Sequence, residues 1–189
     1  QVQEKRPLVQ CITNFVTVND CANMILAAGG SPSMAHDIRE AAEAAAAASA
    51  LVCNLGAIGD TDAMEAAGKA ANLLGIPVVF DPVAAGGTSL RRAEAARLMR
   101  AVHFSVIRGN ASEIRFLAGE QSSGSGVDAG MFDEITEENL SAAIGIVKGL
   151  AEKTGSVIAV SGRLDLISDS RRTAVLRNGS PVMARITGS

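Results

Sequence analysis

The segment Ile107-Arg108-Gly109-Asn110-Ala111-Ser112-Glu113-Ile114 sets an arginine, an amide and a carboxylate close together at a predicted strand-to-helix junction. In a parallel α/β sheet such a junction faces the ligand crevice. The apolar run 104–107 reads as the strand and Gly109 as the turn. Asn110 reads as an N-cap whose partner, Glu113, stands three residues on. A carboxylate in that place can hold a Mg²⁺ ion. The same spacing also describes a simple capping pair, and the segment alone leaves both readings open.

Asp81, between Phe80 and Pro82, is a second carboxylate at a predicted strand end. It reads either as an Asx-type turn before proline or, with Glu113, as a Mg²⁺ ligand acting directly or through water. That pair would suit phosphoryl transfer, with Arg108 on the same anionic groups; the alternative for Arg108 is a salt bridge at the sheet edge. Asn14, Asn54, Asp81, Arg108 with Asn110, Ser161 and Thr187 all fall at the carboxyl ends of separate predicted strands. Each alone reads as a turn or cap residue, but in an open α/β sheet those ends converge on one crevice.

The elements needed to position these groups follow from periodicity and turn residues. A strand at 8–12 leads to a helix at 18–28, stopped by Gly29-Gly30. A loop or short strand at 30–35 precedes an alanine-rich helix to residue 49, opened by an Asp37/Glu40 capping pair. Strands follow at 51–54, 77–82, 104–107 and 157–162. Helices are expected up to residue 74, over 90–102 and over 137–153. Residues 164–168 and 173–177 read as a hairpin turning at Asp169-Ser170-Arg171-Arg172, and 182–186 as a further strand. The β-then-α alternation predicts a parallel sheet with helices on both faces. Residues 121–133, rich in Gly and Ser, read as a surface excursion.

Composition narrows the function classes. The 189 residues are 48% hydrophobic, which supports one compact domain with a sizeable core. Net charge is −3 with scattered basic residues, and Trp and Tyr are absent, so nucleic acid is not an expected partner. Cys11, Cys21 and Cys53 lack zinc or disulfide spacing and fit a reducing cytoplasm. The longest apolar stretch, 41–52, falls short of a membrane span. His36 and His103 sit at element boundaries and suggest no Ser-His-Asp arrangement. Met34 reads as a core or pocket-lining residue. No Walker A sequence occurs, and Gly124-Ser125-Gly126 with Gly130 lacks the spacing and preceding strand of a dinucleotide fingerprint.

From about Pro7 to the last residue the sequence resembles the hydroxyethylthiazole kinases, thiamine-salvage enzymes of the ribokinase-like superfamily. The resemblance is carried by Pro7-Leu8-Val9-Gln10-Cys11-Ile12-Thr13-Asn14, Gly30-Ser31-Pro32-Ser33-Met34-Ala35, Asp81-Pro82-Val83, the segment from Ile107 to Ile114, and Gly126-Val127-Asp128. It implies one ribokinase-like α/β domain with a mostly parallel sheet, helices on both faces and a C-terminal β-hairpin. It also implies ATP-dependent phosphorylation of the thiazole alcohol's primary hydroxyl, Mg²⁺ dependence, and a cytoplasmic homotrimer with sites near subunit boundaries. By the same resemblance Met34, Gly188, Asn14 and Pro32 face the thiazole, Arg108 and Ser161 contact ATP, and Asp81 and Glu113 organise Mg²⁺.

Two departures stand out. Arg163 occupies a place where the family usually carries an acidic residue, which bears on the nucleotide side. The Gly-x-Gly-Cys loop that supplies the anion hole and the base is cut after Gly188-Ser189, so the base is expected beyond Ser189. A chain ending there would be expected to lack its C-terminal helices and to be inactive or badly impaired. The rival readings are a hydroxymethylpyrimidine or other small-alcohol kinase, and a thiazole-binding trimer fragment without catalysis. An NAD-dependent oxidoreductase, suggested only by the β–α alternation, lacks its glycine fingerprint.

Overall fold

The computed structural model describes residues 1–119, 134–180 and 182. Among the described residues eight strands form one sheet: β1 (Leu8–Ile12), β2 (Ser31–Ser33), β3 (Ala50–Asn54), β4 (Val78–Asp81), β5 (Val106–Gly109), β6 (Val157–Val160), β7 (Asp165–Ser168) and β8 (Thr173–Leu176). Their order is β2-β1-β3-β4-β5-β6-β7-β8. The first six are parallel, and β7 and β8 close the edge as an antiparallel hairpin. Asp169 builds the hairpin turn, its Oδ1 accepting from the amides of Arg171 and Arg172 at 3.1 and 2.8 Å. Pro32 sits on the edge strand β2, where a missing N–H is tolerated.

A four-residue helix α1 (Val2–Lys5) precedes the sheet, and α2 (Val18–Ala27) links β1 to β2. Then come α3 (Ala41–Ala46), α4 (Thr61–Leu73), α5 (Ser89–Ala101), α6 (Ala111–Ala118) and α7 (Leu140–Thr154). The chain steps from β1 to β2 in one direction and thereafter always in the other. Right-handed crossovers therefore place α2 on one face of the sheet and α3 through α7 on the other. The core follows this division. Leu51, Cys53, Val78, Phe80, Ile107, Ile158 and Leu166 are buried beneath the larger helical layer. On the opposite face Val52, Val79, Val106 and Val157 form one register row and stay half-buried.

Several expected boundaries move, each for a local reason. The strand expected at 104–107 lies at Val106–Gly109, because Phe104 stacks on Phe80 (centroids 4.5 Å apart) and Ser105 bridges to Val78 by backbone and hydroxyl. Gly109 is thus the last strand residue, not a turn. The Asp37/Glu40 pair does not cap α3: Asp37 accepts instead from the amide and guanidinium of Arg39, and the helix starts at Ala41. The helix expected from 137 starts at Leu140, since Asn139 first closes a turn with Thr136 and Glu134. The expected strand residues 183–186 and the excursion at 121–133 lie outside the described residues.

Close packing of small residues lets α4 lie tight against the core. A Cβ on Gly68 would come within 2.6 Å of both γ-carbons of buried Val102. Overpacking of that kind costs about 1–3 kcal/mol, against about 1 kcal/mol gained from alanine's helix propensity. Gly68→Ala is expected to lower the midpoint of thermal unfolding by about 3 °C, measured by circular dichroism.

Candidate active site

The strand order reverses between β1 and β3, so the crevice of this sheet opens beyond their carboxyl ends. Asn14 lies just beyond β1, Asn54 ends β3, Asp81 ends β4, Arg108 is the last residue but one of β5 and Ser161 follows β6. Adjacent strands thus present one polar residue each along a single rim. Asn54 and Asp81 are register partners, and the Asn14 and Asn54 side chains meet at 3.5 Å. Arg108 Nη1 lies 3.5 Å from Asp81 Oδ2. The amide of Ser161 donates to the carbonyl of Gly109 at 2.9 Å, which ties the rim to β5.

Asp81 is the most perturbed carboxylate of the rim. Burial pushes its pKa up to about 6, the nearby negative charge of Glu113 adds to the rise, and Arg108 and Asn54 pull it down. Arg108 is about half exposed, so water weakens its compensation of the carboxylate. The result is a desolvated carboxylate beside a second one, an arrangement that favours a bound cation.

Glu113 does form a capping box with Asn110: Asn110 Oδ1 accepts from the Glu113 amide at 2.9 Å, and Glu113 Oε2 accepts from the Asn110 amide at 2.8 Å. Its other oxygen, Oε1, accepts from the amide of Ala84 at 2.9 Å. This third bond reaches 29 positions back to the loop after Asp81 and joins the two carboxylate segments. Gly109 makes room for it, since a Cβ there would meet Glu113 Oε2 at 3.0 Å. The capping reading and the site reading are therefore compatible. Each carboxylate oxygen keeps a lone pair after one such bond, and Mg²⁺ is usually held by one or two carboxylates with waters and phosphates completing the shell. The donor set of Asp81 and Glu113 fits that ion. Among the described residues no group of three or more His, Cys, Asp or Glu gathers as a closed metal cage.

Asn14 is committed to the turn after β1: its Oδ1 accepts from the amides of Val16 and Thr17 at 3.0 and 3.1 Å. Its side chain therefore shapes the rim through backbone structure. Met34 follows β2 and is half-buried at the same end of the sheet, beyond Pro32. Gly188 and Thr187 lie outside the described residues. Arg163 is exposed, and its charge adds a little to the lowering of the Glu137 and Glu138 carboxyls, which comes first from hydrogen bonds with Arg177 and Thr136.

Sequence reasoning missed two contributors. Gly56 makes room for the rim amides, because a Cβ there would stand 2.5 Å from Asn54 Oδ1, which accepts from the Gly56 amide at 2.8 Å, and would have to displace it. Arg91 also reaches the rim from α5, donating to the carbonyls of Leu55 and Val83, each at 3.0 Å.

A profile described as the hydroxyethylthiazole kinase family matches residues 1–189. The chain belongs to that family. It is 49% identical over 190 residues to the hydroxyethylthiazole kinase of Desulfovibrio desulfuricans, covering 100% of this chain and 67% of that protein. The solved structure of the hydroxyethylthiazole kinase protein from Pyrococcus horikoshii superposes with a TM-score of 0.85 at 37% identity, covering 100% of this chain and 68% of that one. An adenosine kinase from Schistosoma mansoni, at 11% identity and a TM-score of 0.54, shares the fold alone. The family is one of phosphotransferases and the fold is ribokinase-like, as the sequence motifs implied. No helix among the described residues is long and apolar enough to cross a membrane.

Proposed function

We propose that the protein transfers the γ-phosphoryl group of ATP to the primary hydroxyl of 5-(2-hydroxyethyl)-4-methylthiazole, a thiamine-salvage step in the cytoplasm. The observation that carries the reading is the convergence of Asn54, Asp81, Arg108 and Ser161 on one rim at the carboxyl ends of adjacent parallel strands. Arg108 and Ser161 contact ATP, Arg108 at its anionic groups. Asp81 and Glu113 hold Mg²⁺, which supplies neutralisation of phosphate charge when bound. Asn14, Pro32 and Met34 shape the thiazole end of the crevice, with Gly188 as a further contact. Phosphoryl transfer needs positioning and fixed positive charge more than covalent chemistry, and this rim offers both.

A homotrimer accompanies this reading. Helix α2 buries none of its residues, and Phe15, Val16, Met24 and Leu26 are exposed around it. An apolar helix of that kind suits contact with another copy.

Incubation with Mg²⁺ and ATP should convert the thiazole alcohol to its phosphate in preference to hydroxymethylpyrimidine, read by mass spectrometry of the products. Preferred phosphorylation of the pyrimidine would replace the substrate assignment. Calorimetric uptake of thiazole with no ATP consumed would favour a binding module instead. Sedimentation at a monomer mass would remove the trimer.

A further inference from the structure

We propose that Arg91 is a positioning residue for the Mg²⁺ and phosphate end of the site, acting by pinning the two strand-end loops that carry Asn54 and Asp81. This rests on the reading of Asp81 and Glu113 given above.

Arg91 stands in the first turn of α5, three residues after its N-cap Thr88, whose hydroxyl accepts from the Arg91 amide at 3.2 Å. A cation there opposes the helix dipole, which favours acidic residues at that end. Among the described residues Arg91 forms no ion pair with a carboxylate that would offset this. Something other than helix stability keeps the residue in place.

Its hydrogen bonds say what. A single nitrogen, Nη1, donates to Leu55 O and Val83 O, both at 3.0 Å. Leu55 directly follows Asn54, and its own amide donates to the carbonyl of Asp81 at 2.9 Å. Val83 lies two residues past Asp81, and the next residue, Ala84, hands its amide to Glu113 Oε1 at 2.9 Å. Ala84 takes a left-handed backbone conformation, φ 53°, which a non-glycine residue adopts only when its surroundings impose it. The turn after Asp81 is thus held at Asp81 O by Leu55, at Val83 O by Arg91, at Ala84 N by Glu113 and, farther along, at Gly86 O by Arg92 Nη1 at 2.9 Å. Arg91 grips the backbone of both loops from one nitrogen, beside the Asn54 side chain, which bonds the Gly56 amide and the Asp81 carboxylate. With Arg91 removed, the turn loses its tie next to Ala84, the Ala84 amide is less firmly presented to Glu113, and the spacing of the two carboxylates loosens. Supporting groups around metal ligands typically matter by about 10–100-fold in metal affinity or activity.

The test compares Arg91→Met, which loses both bonds, with Arg91→Lys, which can reach one carbonyl. Two readouts are taken on the full chain. In the metal-free protein, amide exchange of Leu55 and Ala84 should accelerate while core amides such as those of Ile107 and Ile158 hold their rates. In turnover, Arg91→Met should lower kcat by about 10–100-fold and raise the Mg²⁺ concentration for half-activity by about tenfold, with the KM for thiazole alcohol changed less than about threefold. Arg91→Lys should fall between. A residue of merely structural importance would accelerate exchange everywhere and leave the Mg²⁺ requirement alone, and that result would overturn the proposal. If Arg91→Met does not fold, Arg91→Lys carries the test: local exchange with a raised Mg²⁺ requirement supports the proposal, and wild-type values for both sink it. Asp81→Asn serves as the reference. If it leaves the Mg²⁺ requirement unchanged, the reading of the site itself fails. If it is inactive while the Arg91 variants match wild type, only the role of Arg91 fails.

Discussion

Asp81→Asn is expected to remove phosphotransfer while making the protein more stable at neutral pH. Both effects come from one cause. Burial, with Glu113 nearby, pushes the Asp81 carboxyl up to about 6 in the folded protein, whereas an unfolded chain releases that proton near pH 4. Below about pH 4 both states hold the proton and no penalty exists. As pH rises from there through about 6 the unfolded state gives up its proton first, so folding stability declines across that window and then levels off. The full loss is on the order of 3 kcal/mol, since about two units are involved at 1.36 kcal/mol each. Asparagine has no proton to lose. The variant should therefore show a flatter stability profile over that window and gain about 1–2 kcal/mol at neutral pH, measured by urea unfolding. Its kcat should drop about a thousandfold, because a carboxylate that organises Mg²⁺ and phosphate is worth several kcal/mol in the transition state. Near-normal turnover by Asp81→Asn would remove this residue from the site.

Glu113→Gln is the second large effect, and it separates the cap from the chemistry. Glutamine is accepted at the third position of a capping box, so the helix start should survive. One of the two amides now bonded to Glu113, that of Asn110 or Ala84, loses its carboxylate acceptor. Stability should fall by about 1 kcal/mol, the usual worth of one such hydrogen bond. Activity should fall further, by about 10–100-fold, with a higher Mg²⁺ requirement, because the negative charge has gone. An activity loss no larger than the loss of folded protein would leave Glu113 as a cap alone.

The two carboxylates also mark where the sequence was readable. Asn110 and Glu113 were visible as a pair because capping is a local, three-residue relation. The hairpin at 165–176 was visible because Asp169 can close its turn within four residues. The strand-end convergence followed from β–α alternation, a property of the order of elements. What escaped depends on partners distant in sequence. Arg91 works through carbonyls 36 and 8 residues away, and backbone carbonyls leave no signature in the side chains. One clue was present: two arginines in the first turn of a helix that has no acid there. The shift of β5 from 104 to 106 came from Phe104 stacking on Phe80, a contact that hydrophobic patterning cannot distinguish from membership in a strand. Asp37 had an arginine two residues on to satisfy it, and that pairing outcompeted the cap.

The stacked rings of Phe80 and Phe104, inclined by only 15°, lie in the layer below the rim, with Phe80 the residue before Asp81. With neither tryptophan nor tyrosine among these 189 residues, the aromatic part of their near-ultraviolet circular dichroism comes from phenylalanine, and the stacked pair contributes to it. Within these residues a phenylalanine reporter sits one peptide bond from the carboxylate, and a ligand that shifts Asp81 is expected to alter the signal of the pair.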